Sequence, residues 1–247
     1  MDNETLWAGI RPEARQHLVL RNYSAQSVEE RLPSDGLEAG SALASQRALQ
    51  EADAWIPGVE LIARQVHAQR HRGLFSELGR EGEGRLGALG LWPRQWAAAK
   101  MFAGSAKGFH IHPPYVPEGQ DAATWFTKLY SGGEEVTPRP YDREQWDVMY
   151  FLQGRLDLIL CDERVGLPRR RMRLFIEGDD RRGPNNIAIV IPPGVAHALR
   201  AEGSEDLLMV YGTSTVFAPE YEGRMACDVE TLPLPPEWAA YLGSSSR

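Results

Sequence analysis

The chain has 247 residues, 43% of them hydrophobic, and its 34 acidic against 27 basic side chains give a net charge of −7 with His neutral. That length suits one large domain or two small ones with a sizeable core, and the acidic balance excludes any global attraction to nucleic acid or an anionic membrane. Two cysteines, Cys161 and Cys227, with no CxxC, argue against a disulfide framework and a thiolate zinc site.

Met1-Asp2-Asn3-Glu4 has neither the basic nor the apolar region of a signal peptide, and no apolar run is long enough for a membrane span, so the expected location is cytoplasmic. Residues 1–53 form a partly helical extension. Ser27-Val28-Glu29-Glu30 is a capping-box pattern, and Gly36 to Gln50 is small and polar. A surface arm and a segment packed on a partner subunit are the two readings. Residues 54–247 make the main domain. Ile56 to Val66 alternates as a strand does. The glycines at 79, 82, 84, 87 and 90 read as turns: no Lys-Ser/Thr follows, and Gly82-Glu83-Gly84 opens no clear helix.

The 34 residues between His112 and Asp147 lack strong periodicity, as a lid or binding loop does. Tyr115, Trp125, Phe126, Tyr130, Tyr141 and Trp146 there either pack the loop onto the body or cover a sugar or base face. Val148 to Leu152 and Arg155 to Leu160 are two strands around Gln153-Gly154. Arg169-Arg170-Arg171 with Arg173 reads as a solvated hairpin tip. Asn186 to Ile191 is a strand stopped by Pro192-Pro193-Gly194, and Leu207 to Tyr211 is another. Many short strands with Gly/Pro turns predict a sandwich or barrel. There is no Gly-x-Ser-x-Gly elbow of a serine hydrolase.

Of six histidines, two stand in Gly104-x5-His110-x-His112. Residues two apart on a strand share a face, so both imidazoles enter one pocket. This spacing is similar to the first cupin motif, whose carboxylate six residues before a glycine is here Asp147 before Gly154. The second cupin motif, Pro-x-Gly-x2-His, is here Pro192 to His197. The expected fold is therefore all-β, a cupin (jelly-roll, double-stranded β-helix) barrel. His110, His112, Asp147 and His197 occupy its four ligand positions, and three imidazoles with one carboxylate suit one divalent transition metal: Fe, Mn, Ni, Cu or Zn.

Residues 55 to 230 also resemble the dTDP-4-dehydrorhamnose 3,5-epimerases. The resemblance lies in Pro57-Gly58-Val59-Glu60-Leu61-Ile62, Arg72 to Glu77, Lys107-Gly108-Phe109-His110, Ile191 to His197, and Tyr211-Gly212-Thr213 with Phe217-Ala218-Pro219-Glu220, in that shared order. It implies a homodimeric enzyme acting on a nucleotide sugar, with His110 as base and Tyr211 as acid, and no metal required. Arg72, Glu77, Gln95, Lys107 and His197 match substrate-binding positions. Asp147 stands where the family carries a lysine, Phe217 where it carries a tyrosine and Ala97 where it carries an asparagine. The family's late aspartate has no clear counterpart. Two other readings stay open: a metal-dependent cupin acting on another small molecule, and a non-catalytic sugar-binding cupin.

Overall fold

The computed structural model describes residues 3–20, 54–131, 144–225 and 241–242. Two antiparallel sheets carry the fold. The larger has the order β1 (Val19–Leu20), β13 (Gly223–Arg224), β6 (Ala106–Ile111), β11 (Val195–Glu202), β8 (Arg155–Asp162), β9 (Arg171–Glu177). The smaller has the order β2 (Glu60–Ala63), β10 (Ile187–Ile191), β7 (Asp147–Gln153), β12 (Leu207–Thr213), β5 (Gln95–Met101). A separate hairpin pairs β3 (Val66–Ala68) with β4 (Leu74–Ser76). Leu158, Leu160 and Leu174 of the first sheet and Phe151, Ile189 and Ile191 of the second meet in one buried core. The fold is the expected all-β jelly-roll barrel.

Both sheets are covered on their outer faces as well, so the central strands are buried on both sides. Along β7, Asp147, Met149 and Phe151 point into the barrel, while Val148 and Tyr150 point out under Leu86, Leu89 and Leu91. Along β11, His197 and Leu199 point in, while Ala196 and Ala198 point out. Trp7, Ile10 and Ala14 cover that second outer face together with Tyr241. Burying a large apolar side chain such as Trp7 or Ile10 contributes about 1.5–3 kcal/mol, so residues 3–20 hold firmly to their own barrel. The capping-box pattern at Ser27 and the Gly36–Gln50 segment lie outside the described residues.

Three local expectations change. The strand over 56–66 begins only at Glu60, because Gly58 (φ +86°) and the Val59 N–H to Ile56 carbonyl bond (3.2 Å) make a turn first. A short helix does form at Gly84–Ala88, and it places Leu86 on the outer face of β7. The stretch before Asp147 contains the helix Ala122–Ser131, started by Asp121, whose carboxylate accepts the Thr124 N–H at 2.9 Å. Its Phe126 packs against Gly9, and Tyr130 lies 4.1 Å from the Arg164 guanidinium. Trp146 is buried under the 86–91 segment, so these aromatics pack the stretch onto the barrel; Tyr141 lies outside the described residues. The basic cluster is solvated only in part: Arg171 and Arg173 on β9 are exposed, Arg173 pairing with Asp157 at 2.7 Å, but the Arg169 side chain is buried against Glu163 (2.8 Å). Among the described residues no helix is long and apolar enough to cross a membrane.

Candidate active site

One end of the barrel encloses a cavity of about 130 Å³. Strands from both sheets line it: β6 and β11 bring His110 and His197, β7 and β12 bring Asp147 and Tyr211, and β5 brings Gln95. Of the sequence-derived candidates, His110, His112, Asp147, His197, Tyr211, Gln95 and Lys107 all line this one cavity. Arg72 and Glu77 do not. Arg72 sits on the exposed turn between β3 and β4, and Glu77 pairs with Arg80 at 3.0 Å just after β4.

The register explains how β6 supplies two cavity residues, Lys107 and His110. His110 pairs with His197 and Lys107 with Leu199, so two β6 residues, Gly108 and Phe109, oppose the single residue Ala198. This bulge restores Lys107 and His110 to the same face although they are three apart. Phe109 and Ile111 then point outward into the core beneath Trp7.

The turn Pro192-Pro193-Gly194 sets the second half of the site. Gly194 has φ +78°, and a Cβ there would meet Arg164 Cγ at 2.5 Å. Only glycine fits both the backbone conformation and the space. Its N–H donates to the His112 carbonyl at 2.8 Å, which ties the start of β11 to the end of β6. His197 follows three residues later.

The polar groups are close and fully enclosed. His112 Nε2 lies 3.3 Å and His197 Nε2 3.7 Å from the same Asp147 oxygen, Oδ2. The other nitrogen of each ring has a backbone partner: His112 Nδ1 is 3.3 Å from the Tyr221 carbonyl, and His197 Nδ1 is 3.2 Å from the Val195 carbonyl. The Gln145 carboxamide completes the group. Its Nε2 donates to Asp147 Oδ1 at 2.9 Å and lies 3.1 Å from His112 Nε2, and its Oε1 accepts from Thr215 Oγ1 at 3.0 Å. Ligand atoms of His112, Asp147 and His197 all lie within 4.8 Å of one another, a set able to hold a metal ion. His110 is not in that set.

The electrostatics split the three imidazoles. Burial, the Arg224 guanidinium and the other two rings hold His110 well below its ordinary pKa, so it is a neutral imidazole at pH 7. Burial also lowers His197. For His112 burial opposes charge, but Asp147, Glu222 and the Tyr221 carbonyl outweigh it and raise the pKa to about 9. Asp147 resists its own burial through His112, His197 and Gln145, and its pKa is lowered. At pH 7 the cavity thus holds an imidazolium–carboxylate pair beside a neutral imidazole. Cys161 is buried on β8, and burial with Glu163 nearby pushes its thiol up to about 12, so it is not a nucleophile.

Gln145, Thr215, Glu222 and Arg224 belong to the site but were not expected from sequence. Gln145 had a signal, since it stands two residues before Asp147 and shares its face. Glu222 and Arg224 arrive through β13, a two-residue strand with no periodicity to read.

No protein-family model matches the chain. It is 27% identical over 180 residues to the spore coat polysaccharide biosynthesis protein SpsL of Bacillus subtilis (strain 168), covering 72% of this chain and 93% of that protein. The dTDP-6-deoxy-D-glucose-3,5-epimerase RmlC from Legionella pneumophila Philadelphia 1 is 19% identical, with 74% of this chain and 85% of that chain covered and a TM-score of 0.48. The dTDP sugar isomerase from Desulfovibrio desulfuricans G20 is 13% identical, with 76% and 93% covered and a TM-score of 0.50. The barrel therefore shares its fold with that dTDP sugar isomerase.

Proposed function

We propose that this protein is a sugar-nucleotide epimerase, taking a dTDP-linked 4-keto-6-deoxyhexose and inverting carbons beside the keto group. One observation carries the reading. His110, from the six-stranded sheet, and Tyr211, from the five-stranded sheet, enter the same cavity from opposite walls. Epimerisation needs a base on one face of the sugar and an acid on the other.

The keto group acidifies the neighbouring C–H bonds. Neutral His110 removes one such proton, and the electron pair moves onto the keto oxygen as an enolate. Tyr211 returns a proton to the opposite face of the same carbon. The enolate needs nearby positive charge. Lys107 supplies it from β6, and the His112 imidazolium supplies it where Asp147 replaces the expected lysine. The Asp147 carboxylate is spent on His112, so the pair presents a hydrogen-bond donor and not a bare anion. This route requires no metal.

A homodimer in the cytoplasm is part of the proposal. The β3–β4 hairpin exposes Leu74 and Phe75 beside Arg72, a surface suited to a second copy. Arg72 and Glu77 then serve the substrate only across that interface.

The test is solvent exchange. Wild-type protein with dTDP-4-keto-6-deoxyglucose in D2O incorporates deuterium beside the keto group and forms the inverted product. His110→Ala loses both. Tyr211→Phe keeps exchange but loses inversion. Binding of the nucleotide sugar without any exchange would instead leave a non-catalytic sugar-binding cupin.

A further inference from the structure

We infer that residues 3–20 are a positioning element of the active site: by pairing β1 with β13 and seating Trp7 on Gly223, they fix the wall of the cavity that carries Tyr221, Glu222 and Arg224. The catalytic side of this inference rests on the epimerase reading above; its structural side does not.

β13 cannot hold that wall by itself. It has two residues, fewer than an ordinary strand, yet groups against the buried rings hang on it. The Tyr221 carbonyl lies 3.3 Å and the Glu222 carboxylate 3.8 Å from His112 Nδ1. Glu222 lines the cavity, and Arg224 stands opposite His110 in the register with β6. One edge of β13 is secured by β6: Gly223 pairs with Ile111, and the Met225 N–H donates to the Phe109 carbonyl at 2.8 Å. Among the described strands, the other edge is paired only with β1, Val19 opposite Arg224 and Leu20 opposite Gly223.

The strap is itself anchored at its far end. The Arg11 N–H donates to the Glu163 carbonyl at 2.8 Å, and the Val165 N–H to the Gly9 carbonyl at 3.1 Å. The Arg11 guanidinium also reaches the carbonyls of Asp162, Arg164 and Leu167 at 3.0–3.1 Å. Between the two anchors, Trp7 is buried in one cluster with Phe109, Ile111 and Met225. The approach to β13 is tightest at Gly223. A Cβ there would overlap Trp7 Cη2 and stand 2.8 Å from Leu18 Cδ1. Gly223 is not among the glycines with positive φ, so the strap and not the backbone forbids a side chain. Residues 3–20 thus span from the end of β8 to the cavity wall. Any displacement passed through Trp7 to Gly223 moves Glu222 and the Tyr221 carbonyl against His112. A misplacement of about 1 Å can cost ~100-fold in rate.

Gly223→Ala in the full-length protein drives a methyl group into Trp7. It should lower kcat on dTDP-4-keto-6-deoxyglucose by ~100-fold and change KM far less. Adding Trp7→Leu removes the ring that the methyl group meets. The double variant should recover kcat by ~10-fold over Gly223→Ala alone, the coupling of side chains in contact. Leu89→Ala, buried on the outer face of the other sheet, is the stability control and should keep the wild-type kcat per folded protein. Should Gly223→Ala fail to fold, Trp7→Leu alone decides. Amides of residues 219–225 should then exchange with D2O faster than in wild type, those of β12 at the wild-type rate, and kcat should fall. A folded Gly223→Ala variant with wild-type kcat overturns the inference. So does a loss that Trp7→Leu fails to relieve, and so does Trp7→Leu with unchanged exchange over 219–225. Wild-type protein without turnover sinks the epimerase reading alone. The inference is then decided by nitrogen NMR of the His112 ring: Gly223→Ala must shift its Nδ1 signal and the double variant must move it back, and a signal that stays in place overturns it.

Discussion

Two clusters of buried polar side chains flank β8 and β11, and they are built on opposite principles. Outside the cavity, around the end of β8, charges alternate in sign and are consumed locally. Arg164 makes a two-pronged bond to Asp162 with both contacts at 2.8 Å, and donates to the Pro57 carbonyl at 2.8 Å. Glu163 receives Arg11 at 3.0 Å, Arg169 at 2.8 Å and the Tyr241 hydroxyl at 2.7 Å. Inside the barrel, two imidazoles share one carboxylate beside a third imidazole, at the wall of a cavity. The outer cluster has spent its charge on holding residues 3–20, Tyr241 and the 192–194 turn to the sheet. The inner cluster lines a cavity that also takes in Gln95, Lys107 and Tyr211. Burial of polar groups alone does not mark a site; convergence of perturbed polar groups on a cavity does.

Removing one member of each cluster should separate the two roles, and the largest effect is expected in the cavity. His110→Ala should lower turnover of the nucleotide sugar by ~10²–10⁴-fold, the contribution typical of a general base, with little change in melting temperature. Asp162→Ala should do the reverse. It strands the Arg164 guanidinium, whose side chain has no exposed surface, at a cost of about 3–5 kcal/mol. In a domain of this size that corresponds to a melting temperature lower by roughly 10 °C, read by calorimetry, with the surviving folded fraction still active. Equal loss of activity in both variants at a temperature where both are folded would erase the distinction.

A smaller effect sharpens the inner half of the comparison. Gln145 positions Asp147 and touches no reacting atom in the proton-transfer scheme. Gln145→Leu should lower kcat by ~10-fold, the lower end for an outer-shell change, and leave KM nearly unaltered. Since the Gln145 hydrogen bond is one cause of the lowered Asp147 pKa, its loss raises that pKa. The acid limb of the kcat profile should then move to higher pH, which a purely structural defect would not produce.

Much of the inner cluster was legible because its spacing follows strand geometry. His110 and His112 are two apart, and His197 follows a proline–glycine turn, so alternation alone places them together. Lys107 reached the cavity only through the bulge at Gly108 and Phe109, and on its own it gives no periodic signal; the motif Lys107-Gly108-Phe109-His110 marked it instead. β9 and β5 were not read as strands, since Arg171, Arg173 and Lys100 interrupt their apolar pattern and charge won over alternation. The outer cluster was invisible for a different reason. Arg11, Glu163 and Tyr241 are 152 and 78 residues apart in sequence, and nothing local says that a charged pair will be buried. The helix Ala122–Ser131 was missed because its apolar face is narrow: Phe126 is its one buried residue among those described.

The smallest expected effect lies at the edge of the fold, where a third buried pair can be tuned by acid. Arg64 donates from Nε and Nη2 to the two oxygens of Asp179 at 3.1 and 2.9 Å, and Asn186 donates to Asp179 Oδ1 at 3.0 Å. Burial works against the Asp179 carboxylate, but Arg64, Ser76 and Asn186 outweigh it, so its pKa in the folded state is lowered. A group depressed on folding adds stability above its unfolded pKa, near 3.9 for Asp, and loses it as pH falls through the lower folded value. Asp179→Asn keeps an acceptor for Arg64 but removes the charge. It should cost about 1.5–3 kcal/mol at pH 7, the worth of hydrogen bonds to a charged group, and the difference from wild type should shrink below pH 4. Denaturant midpoints measured at pH 7 and pH 3 decide it: a gap that stays constant between them would mean that Asp179 acts through shape and not through charge.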